Sequence, residues 1–546
     1  MKVYVYTRPV DPACYPEGLA NSIHIACETE EGVRKPFNRN YGILFAEGRI
    51  SPRNTIIPIG VRNPVIFDCG DGRIGIAAEQ IHEDGTADEA CPDRMVLWRT
   101  KDLIHFESAG LAARSGIMAR NPADFLELDE ALVRKALCWW SPVTFRGTEV
   151  PEEIEAASEQ ELNQARAKIL YSDGSEREKR IEWDLRNVRF DVPGVYEAEG
   201  RLRQQSFRFP LVCGYGDPVL FPWEEKWYYI STNDNLNDIG LYVREAEKIE
   251  DLFAEEAAEH LILPFDPARG FEQTFWAPEF HVIGGELYIL FAVSGHKWGP
   301  QCHMMKLKRG GNIADAESWE NPVRVVRKDG KPLAEEAITL DMTFIRAESG
   351  SYVMWSYRER IGTPLDSGSM LYIAAIDERE PCRLISEPVL LTRPLYGWEN
   401  VSGTINNEGP YAFERDGRIY VTYSGGSANL YTYALGLLTA RTDSDLTDPA
   451  AWSKSIFPVL TFCSVKGEYG PGHNSFFTNE EGEMMIAYHA ETSQEGGPRS
   501  DGIRRVHFRK DGEPYFQMAA EEDLRETRFR TKVIVKGDQQ FPGKKT

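Results

Sequence analysis

Between residues 217 and 489 the hydrophobic positions fall into pairs of short runs separated by turn residues. DPVLFPWEEKWYYIST from Asp217, APEFHVIGGELYILFA from Ala277, DMTFIRAESGSYVMWSY from Asp341, EGPYAFERDGRIYVTYS from Glu408 and HNSFFTNEEGEMMIAYH from His473 share one frame. Each opens on a polar or Pro/Gly entry, runs on as an apolar strand, turns, and returns as a second apolar or aromatic strand. The turns hold GG, SGS, DG and EG, which suit β-hairpins. A further strand-like stretch follows, as in IGLYVREA, MLYIAAID and LGLLTART. Three or four strands recurring about every 65 residues predict a β-propeller. A sandwich of generic hairpins is the competing architecture, and the near-constant spacing argues against it. In a propeller the innermost strand of each blade begins near the central axis. Asp217, Ala277, Asp341, Glu408 and His473 are therefore expected to converge on one funnel.

The first 210 residues differ. NPVIFDCGDGRIGIAAEQ from Asn63, with MVLWRTKDLIHFES after it, looks like a sixth copy of the frame, with Asn63 where Asp217 stands in the next. Residues 167–202, AKILYSDGSEREKRIEWDLRNVRFDVPGVYEAEGRL, alternate strands of about six residues with SDGS and VPG turns, the pattern of a small immunoglobulin-like sandwich. The polar, helix-prone PEEIEAASEQELNQARA (151–167) precedes it. The expected chain is all-β, in four parts. These are an N-terminal blade-like β region over 1–120, an inserted immunoglobulin-like β-sandwich over 121–208, a five-bladed β-propeller over 209–515 and a C-terminal tail over 516–546.

Composition narrows the partners. With 62 Lys and Arg against 85 Asp and Glu, the net charge of −23 repels phosphate backbones and anionic lipid, so nucleic acid and membrane surfaces are not expected partners. Twelve Trp and 23 Tyr suit surfaces that stack on sugar rings, although large β cores account for most of them. The nine cysteines are scattered with no CxxC pair, which speaks against a zinc or redox motif and for reduced thiols. The N-terminus MKVYVYTRPVDPACYP has no apolar signal-peptide core, and the expected location is the cytoplasm.

Three of the five converging positions are carboxylates: Asp217, Asp341 and Glu408. One carboxylate can activate water, a second, kept protonated, can donate to a leaving oxygen, and a third can tune the donor by like-charge repulsion. That suits glycoside hydrolysis. A metal site built from the three acids and His473 is the competing reading, and caps at strand entries are the structural one.

GDPVLF (216–221), WAPEF (276–280), LDMTF (340–344), NEGPYAF (407–413) and GPGHNSF (470–476), in this order, resemble glycoside hydrolase family 43. YSGGSANLYTYALGLLTA (423–440) and DPAAWSKSIFPVL (448–460) look like its exo-acting α-L-arabinofuranosidase branch. The resemblance spans about residues 210–510 and implies a five-bladed, inverting enzyme. It makes Asp217 the catalytic base, Asp341 the pKa modulator and Glu408 the general acid, and it assigns His473 to a central ion, commonly calcium. A lone histidine is a weak ligand set for a hard cation. LDMTF departs from the DPS-like motif common at the third blade, which puts the loop geometry around Asp341 in doubt.

For the supporting shell, Trp276 reads as an apolar wall for a sugar or as a core aromatic. Glu279 reads as a partner of a sugar hydroxyl or of a basic neighbour. Arg358 and Arg505 are candidate partners for carboxylates or hydroxyls, and Trp398 and Asn400 are candidate rim residues. The leading function is an inverting exo-glycosidase that releases terminal α-L-arabinofuranose from an arabinose-containing oligo- or polysaccharide. A β-xylosidase, a β-galactofuranosidase or a non-catalytic carbohydrate-binding propeller are the alternatives.

Overall fold

The structure, a computed structural model, describes residues 1–536 and divides into two compact units. The larger holds Met1–Ser141, Arg208–Phe477 and Met485–Ile503; the smaller holds Pro142–Phe207, Thr478–Met484 and the chain from Arg504 onward.

In the larger unit the repeated frame becomes five antiparallel meanders, whose first strands are Tyr215–Trp223, Gln273–Ile283, Ile338–Ala347, Asn407–Arg415 and Tyr469–Thr478. The first four have four strands each and the fifth has three. Residues 211–213 complete the fifth: Leu211 N–H donates to Asp501 O, Asp501 N–H donates to Val212 O, and Cys213 bridges Ser500. The chain entering the first blade is thus tied to the last, and the ring of a five-bladed propeller closes. The second strands are buried on both faces, as Lys226–Asn233 and Glu286–Gly295 show, because each is covered by the blades beside it. Continuous apolar runs such as YILFAV are what two-sided burial requires.

Each first strand carries the same irregularity. Its register slips between Gly216 and Val219, Trp276 and Glu279, Leu340 and Thr343, and Glu408 and Tyr411 in the first four blades. Every blade has a left-handed residue at the equivalent bend, Asp217 (φ 58°), Ala277 (46°), Asp341 (52°), Gly409 (56°) and His473 (39°), and Thr274 (56°) and Gly470 (58°) add a second in the second and fifth blades. These are β-bulges, which bend a strand and re-aim a side chain. The N-terminal sheet Ile59–Asp68, Ile74–His82, Arg94–Thr100 and Phe106–Ala113 repeats the device at Asn63 (φ 50°), with a slip between Arg62 and Val65. It is a sheet of its own outside the five, and Asn63 there donates to Glu79.

The N-terminal region continues past residue 120. Phe125–Glu127 pairs with Lys2–Tyr6, and the helix Glu130–Trp140, capped by Asp129, buries Val133, Ala136 and Trp140. These side chains share one apolar core with Ile345, Trp398, Val421 and Leu438 of the third and fourth blades.

The smaller unit is a sandwich of two sheets. One holds Phe145–Glu149, Arg166–Tyr171 and Glu176–Arg180. In the other, the order is Glu153–Glu155, Glu526–Val535, Gly194–Arg203 and Glu182–Asp184. Within the segment set apart in the sequence as a tail, Glu526–Val535 is therefore an interior strand, paired with Gly194–Arg203 along its whole length. Its inward face buries Thr531, Val533 and Val535, and its outward Arg528, Arg530 and Lys532 meet Glu199, Glu197 and Glu153. Residues 537–546 of that segment lie outside the described residues. Among the described residues no helix is long and apolar enough to cross a membrane.

Val533 is fully buried. Val533→Asp is expected to destabilise the smaller unit by about 3–5 kcal/mol. The readout is new protease cleavage within residues 142–207 and an earlier thermal transition; unaltered protection would show that the strand does not complete this core.

Candidate active site

The bulges bring Asp217, Asp341, Glu408 and His473 to one end of the axis, each held by a neighbouring strand. Thr232 Oγ1 donates to Asp217 Oδ2 at 2.6 Å, and Ser356 Oγ donates to Asp341 Oδ2 at 2.9 Å. The backbone is stitched from blade to blade as well. Ala277 N–H donates to Thr232 Oγ1 (2.9 Å), Gly409 N–H to Asp341 Oδ2 (3.1 Å), His473 N–H to Ser424 Oγ (2.8 Å) and Asp217 N–H to His489 Nδ1 (3.1 Å).

Asp217 is almost wholly buried and surrounded by cationic or polar groups. Its Oδ1 lies 3.0 Å from His473 Nδ1 and 3.0 Å from Arg499 Nη1. Arg499 also clasps Asp234 through Nε (2.9 Å) and Nη2. Burial works against ionisation of Asp217, but Arg499, His473 and His489 outweigh it and hold the carboxyl well below the usual range. Glu408 has no such cation in direct contact. Its Oε1 accepts from the Tyr433 hydroxyl at 2.9 Å, and burial together with the Asp341 charge pushes its pKa up to about 7. Burial also raises Asp341, reinforced by Asp217 and opposed by His473 and the Gly409 N–H. At neutral pH one carboxylate is firmly ionised while another retains much of its proton.

The frame read from the sequence is off by one residue in the fourth blade. Gly409, not Glu408, occupies the bulge position held by Asp217, Asp341 and His473. A Cβ on Gly409 would lie 2.8 Å from the His473 ring, so the left-handed backbone and the close approach both require glycine there.

The proposed supporting residues separate. Trp276 is partly exposed, with its indole N–H donating to Asp238 Oδ2 at 2.9 Å, as a wall residue would be. Glu279 is buried on the next inward position, 2.6 Å from His281 Nε2, so its partner is the basic neighbour. Arg358 is engaged by Asp366 at 2.8 Å and by Asn406 at 2.9 Å. Trp398 is not a rim residue: it is fully buried, its Nε1 donating to Ile456 O at 3.1 Å. Asn400 is buried too, with Nδ2 on Pro394 O, because the N-terminal region covers this segment with a shared core. Arg505 belongs to the smaller unit, where it pairs with Asp523 at 2.7 Å and reaches the Tyr171 hydroxyl.

His473 Nδ1 faces Asp217, and although burial opposes a charge on the ring, Asp217, Asp341, Glu408 and Glu279 raise its pKa. Among the described residues no group of three or more His, Cys, Asp or Glu side chains is arranged to hold a metal.

Sequence reasoning missed Arg499, Tyr433 and His489. Thr232, Ser356, Ser424 and His489 recur with the same period as the bulges, a signal that was available. Arg499 lies in an aperiodic loop and gives none.

A propeller whose axis gathers three acids, with a cation on one and a raised pKa on another, has the groups that glycoside hydrolysis requires. The chain belongs to the glycosyl hydrolases family 43, whose sequence profile matches residues 208–514. A bacterial Ig-like domain (group 4) profile matches residues 165–204. The extracellular exo-alpha-(1->5)-L-arabinofuranosidase of Streptomyces chartreusis is 32% identical over 56% of this chain and 88% of its own. Alpha-L-arabinofuranosidase 43 of Humicola insolens is 31% identical over 56% of this chain and 62% of its own. The crystal structure of alpha-L-arabinofuranosidase from Lactobacillus brevis superposes with a TM-score of 0.50 at 27% identity, covering 58% of this chain and 98% of that one. These relatives place the chain in the arabinofuranosidase-like branch, with a carbohydrate as substrate. The expected cytoplasmic location is corrected by the same comparison, since the matched enzymes of Streptomyces chartreusis and Streptomyces avermitilis are both named extracellular.

Gly409→Ala is expected to cost about 1–3 kcal/mol of stability through backbone strain and to displace His473 from Asp217. Thermal unfolding together with hydrolytic turnover checks this. A variant with wild-type stability and rate would show that the bulge tolerates a side chain.

Proposed function

We propose that the chain is an inverting, exo-acting glycosidase that releases terminal α-L-arabinofuranosyl residues. The observation that carries this is the opposite charge state imposed on two carboxylates at one axis: Asp217 ionised by Arg499 and His473, Glu408 kept largely protonated by burial and Asp341. Paired titratable groups pushed apart in this way mark a base and an acid. Asp217 polarises a water for attack on the anomeric carbon. Glu408 gives its proton to the departing oxygen, and Tyr433 orients the carboxyl. Asp341 does not touch the leaving group; its charge raises the affinity of Glu408 for the proton, and its Oδ2 fixes the Gly409 N–H beside it. The relatives named as arabinofuranosidases support the sugar, and the full acid set speaks against a binding-only propeller.

Activity requires Asp217 deprotonated, a condition met above its low pKa, and Glu408 protonated, a condition met below about 7. The profile of kcat/KM is therefore expected to hold through mildly acidic pH and to fall above about pH 7. Asp217→Asn is expected to lose about 10²–10⁴-fold in kcat on arabino-oligosaccharides. Glu408→Gln should lose as much there but far less on a 4-nitrophenyl glycoside, whose leaving group needs no proton, and its alkaline limb should disappear. Equal losses on both substrates would remove Glu408 from the acid role.

Stereochemistry gives an independent check. Proton NMR of early hydrolysis of an α-L-arabinofuranoside is expected to show the β anomer first. The α anomer first would sink the inverting assignment, and turnover of a β-xyloside or β-galactofuranoside instead would reassign the sugar.

A further inference from the structure

The acid does not stand on the fourth blade alone. Glu399, in the short turn Gly397–Glu399, is fully buried and joined to both chain segments that hold Glu408 in place. Its Oε1 accepts from Asn407 Nδ2 at 3.0 Å, from the Tyr423 hydroxyl at 2.8 Å and from Lys454 Nζ at 2.6 Å. Asn407 is the residue immediately before Glu408. The Glu399 backbone carbonyl accepts from Asn406 N–H at 3.2 Å and Gly426 N–H at 3.3 Å. Gly426 opens the loop that carries Tyr433, the hydrogen-bond partner of Glu408.

The turn bearing Glu399 is in turn gripped by the N-terminal region. Gly18, in the helix Glu17–Ala20, meets Gly397 backbone to backbone. A Cβ on Gly18 would lie 2.6 Å from Gly397 O, and one on Gly397 would lie 2.4 Å from Gly18 O. Glu47 bridges Tyr396, Gly48 N–H donates to Leu395 O at 2.6 Å, and Arg393 Nη1 donates to Asn54 Oδ1 at 2.7 Å. Trp398 and Val401 on either side lie in the core shared with Val3, Leu19 and Ile23. None of these N-terminal residues is within the segment matched by the family.

We propose that the N-terminal region is a positioning device for the acid: its Gly18–Gly397 contact sets the turn carrying Glu399, and Glu399 sets Asn407, Gly426 and through them Glu408 and Tyr433. This rests on the reading of Glu408 as general acid. Glu399, with three side-chain donors on its carboxylate and two backbone N–H groups on its carbonyl, transmits a shift of the turn directly to the strand, because packed interiors deform as units. Misplacing a catalytic group by about 1 Å costs up to about 10²-fold in rate, and an acid out of place penalises poor leaving groups selectively.

The test compares an arabino-oligosaccharide with a 4-nitrophenyl α-L-arabinofuranoside in the full-length chain, for Gly18→Ala, Tyr423→Phe and Glu408→Gln. Gly18→Ala forces the two backbones apart. Tyr423→Phe removes one anchor of Glu399 without changing shape, and serves if the first variant does not fold. Either variant is expected to lose about 10-fold or more on the oligosaccharide and at most about 3-fold on the aryl glycoside, with a displaced alkaline limb in the pH profile. A parallel loss on both substrates, or no loss in a Tyr423→Phe protein of normal thermal stability, overturns the proposal. Failure of Glu408→Gln to separate the two substrates instead overturns the acid assignment beneath it.

Discussion

The ring and the site depend on one local feature, a residue held at positive φ in the first strand of every blade. For four of the five that residue is not glycine, and each such backbone is disfavoured by roughly 1–2 kcal/mol. What offsets this is hydrogen bonding from outside the strand. In four blades the N–H of the strained residue is taken by a side chain of the preceding blade: Thr232, Asp341, Ser424 and His489. A net gain of about 1 kcal/mol per bond is the right size to hold the bulge once the ring is closed and insufficient to form it in an isolated hairpin. The active constellation is thus a property of the closed ring and not of any one blade.

The same closure determines the electrostatics. Asp217 and Glu408 share a water-poor axis, and burial alone would raise both. They diverge because Arg499, delivered by the fifth blade, reaches the first blade's aspartate, while at Glu408 burial and a neighbouring carboxylate outweigh the opposing pull of His473 and the Tyr433 phenol. Asp234 fixes Arg499 on its other side, so the guanidinium serves two acids and cannot swing toward Glu408. The split between a carboxyl held ionised and one held toward its protonated form is written into which blade supplies the cation.

How much of this could be read from residues alone follows from physical range. The blades were legible because each second strand is buried on both faces and therefore largely apolar up to its axial end, and because three of the five bulges carry Asp or His at a fixed period. The offset at Glu408 was not, since nothing in EGP says which residue takes the left-handed backbone. Arg499 was invisible because its loop does not repeat, and Arg505, six residues on, looked equivalent although its partner Asp523 belongs to another core. Trp398 and Asn400 read as loop residues because their cover comes from a region more than 300 residues earlier in the chain. The strand Glu526–Val535 alternates charged and apolar residues as a half-buried strand should, but its partners are Glu153–Glu155 and Gly194–Arg203, and pairings so distant leave no local trace.

The one-residue offset has a chemical sense. In the first and third blades the carboxylate sits on the left-handed residue itself, so its side chain leaves the strand at the bend and is caught by the hydroxyls of Thr232 and Ser356. In the fourth blade the bend is given to glycine and the carboxylate to the extended residue before it. Glu408 therefore departs from the strand in a different direction, stays partly exposed, and is reached by Tyr433 from the loop above. The inverting reaction proposed for this chain needs its acid and base on opposite sides of a sugar, with room for water beside the base. Placing both on equivalent bulge residues would give them equivalent directions toward the axis. Moving one of them back along the strand, and lengthening it from Asp to Glu, breaks the symmetry of the propeller at the place where the chemistry cannot be symmetric.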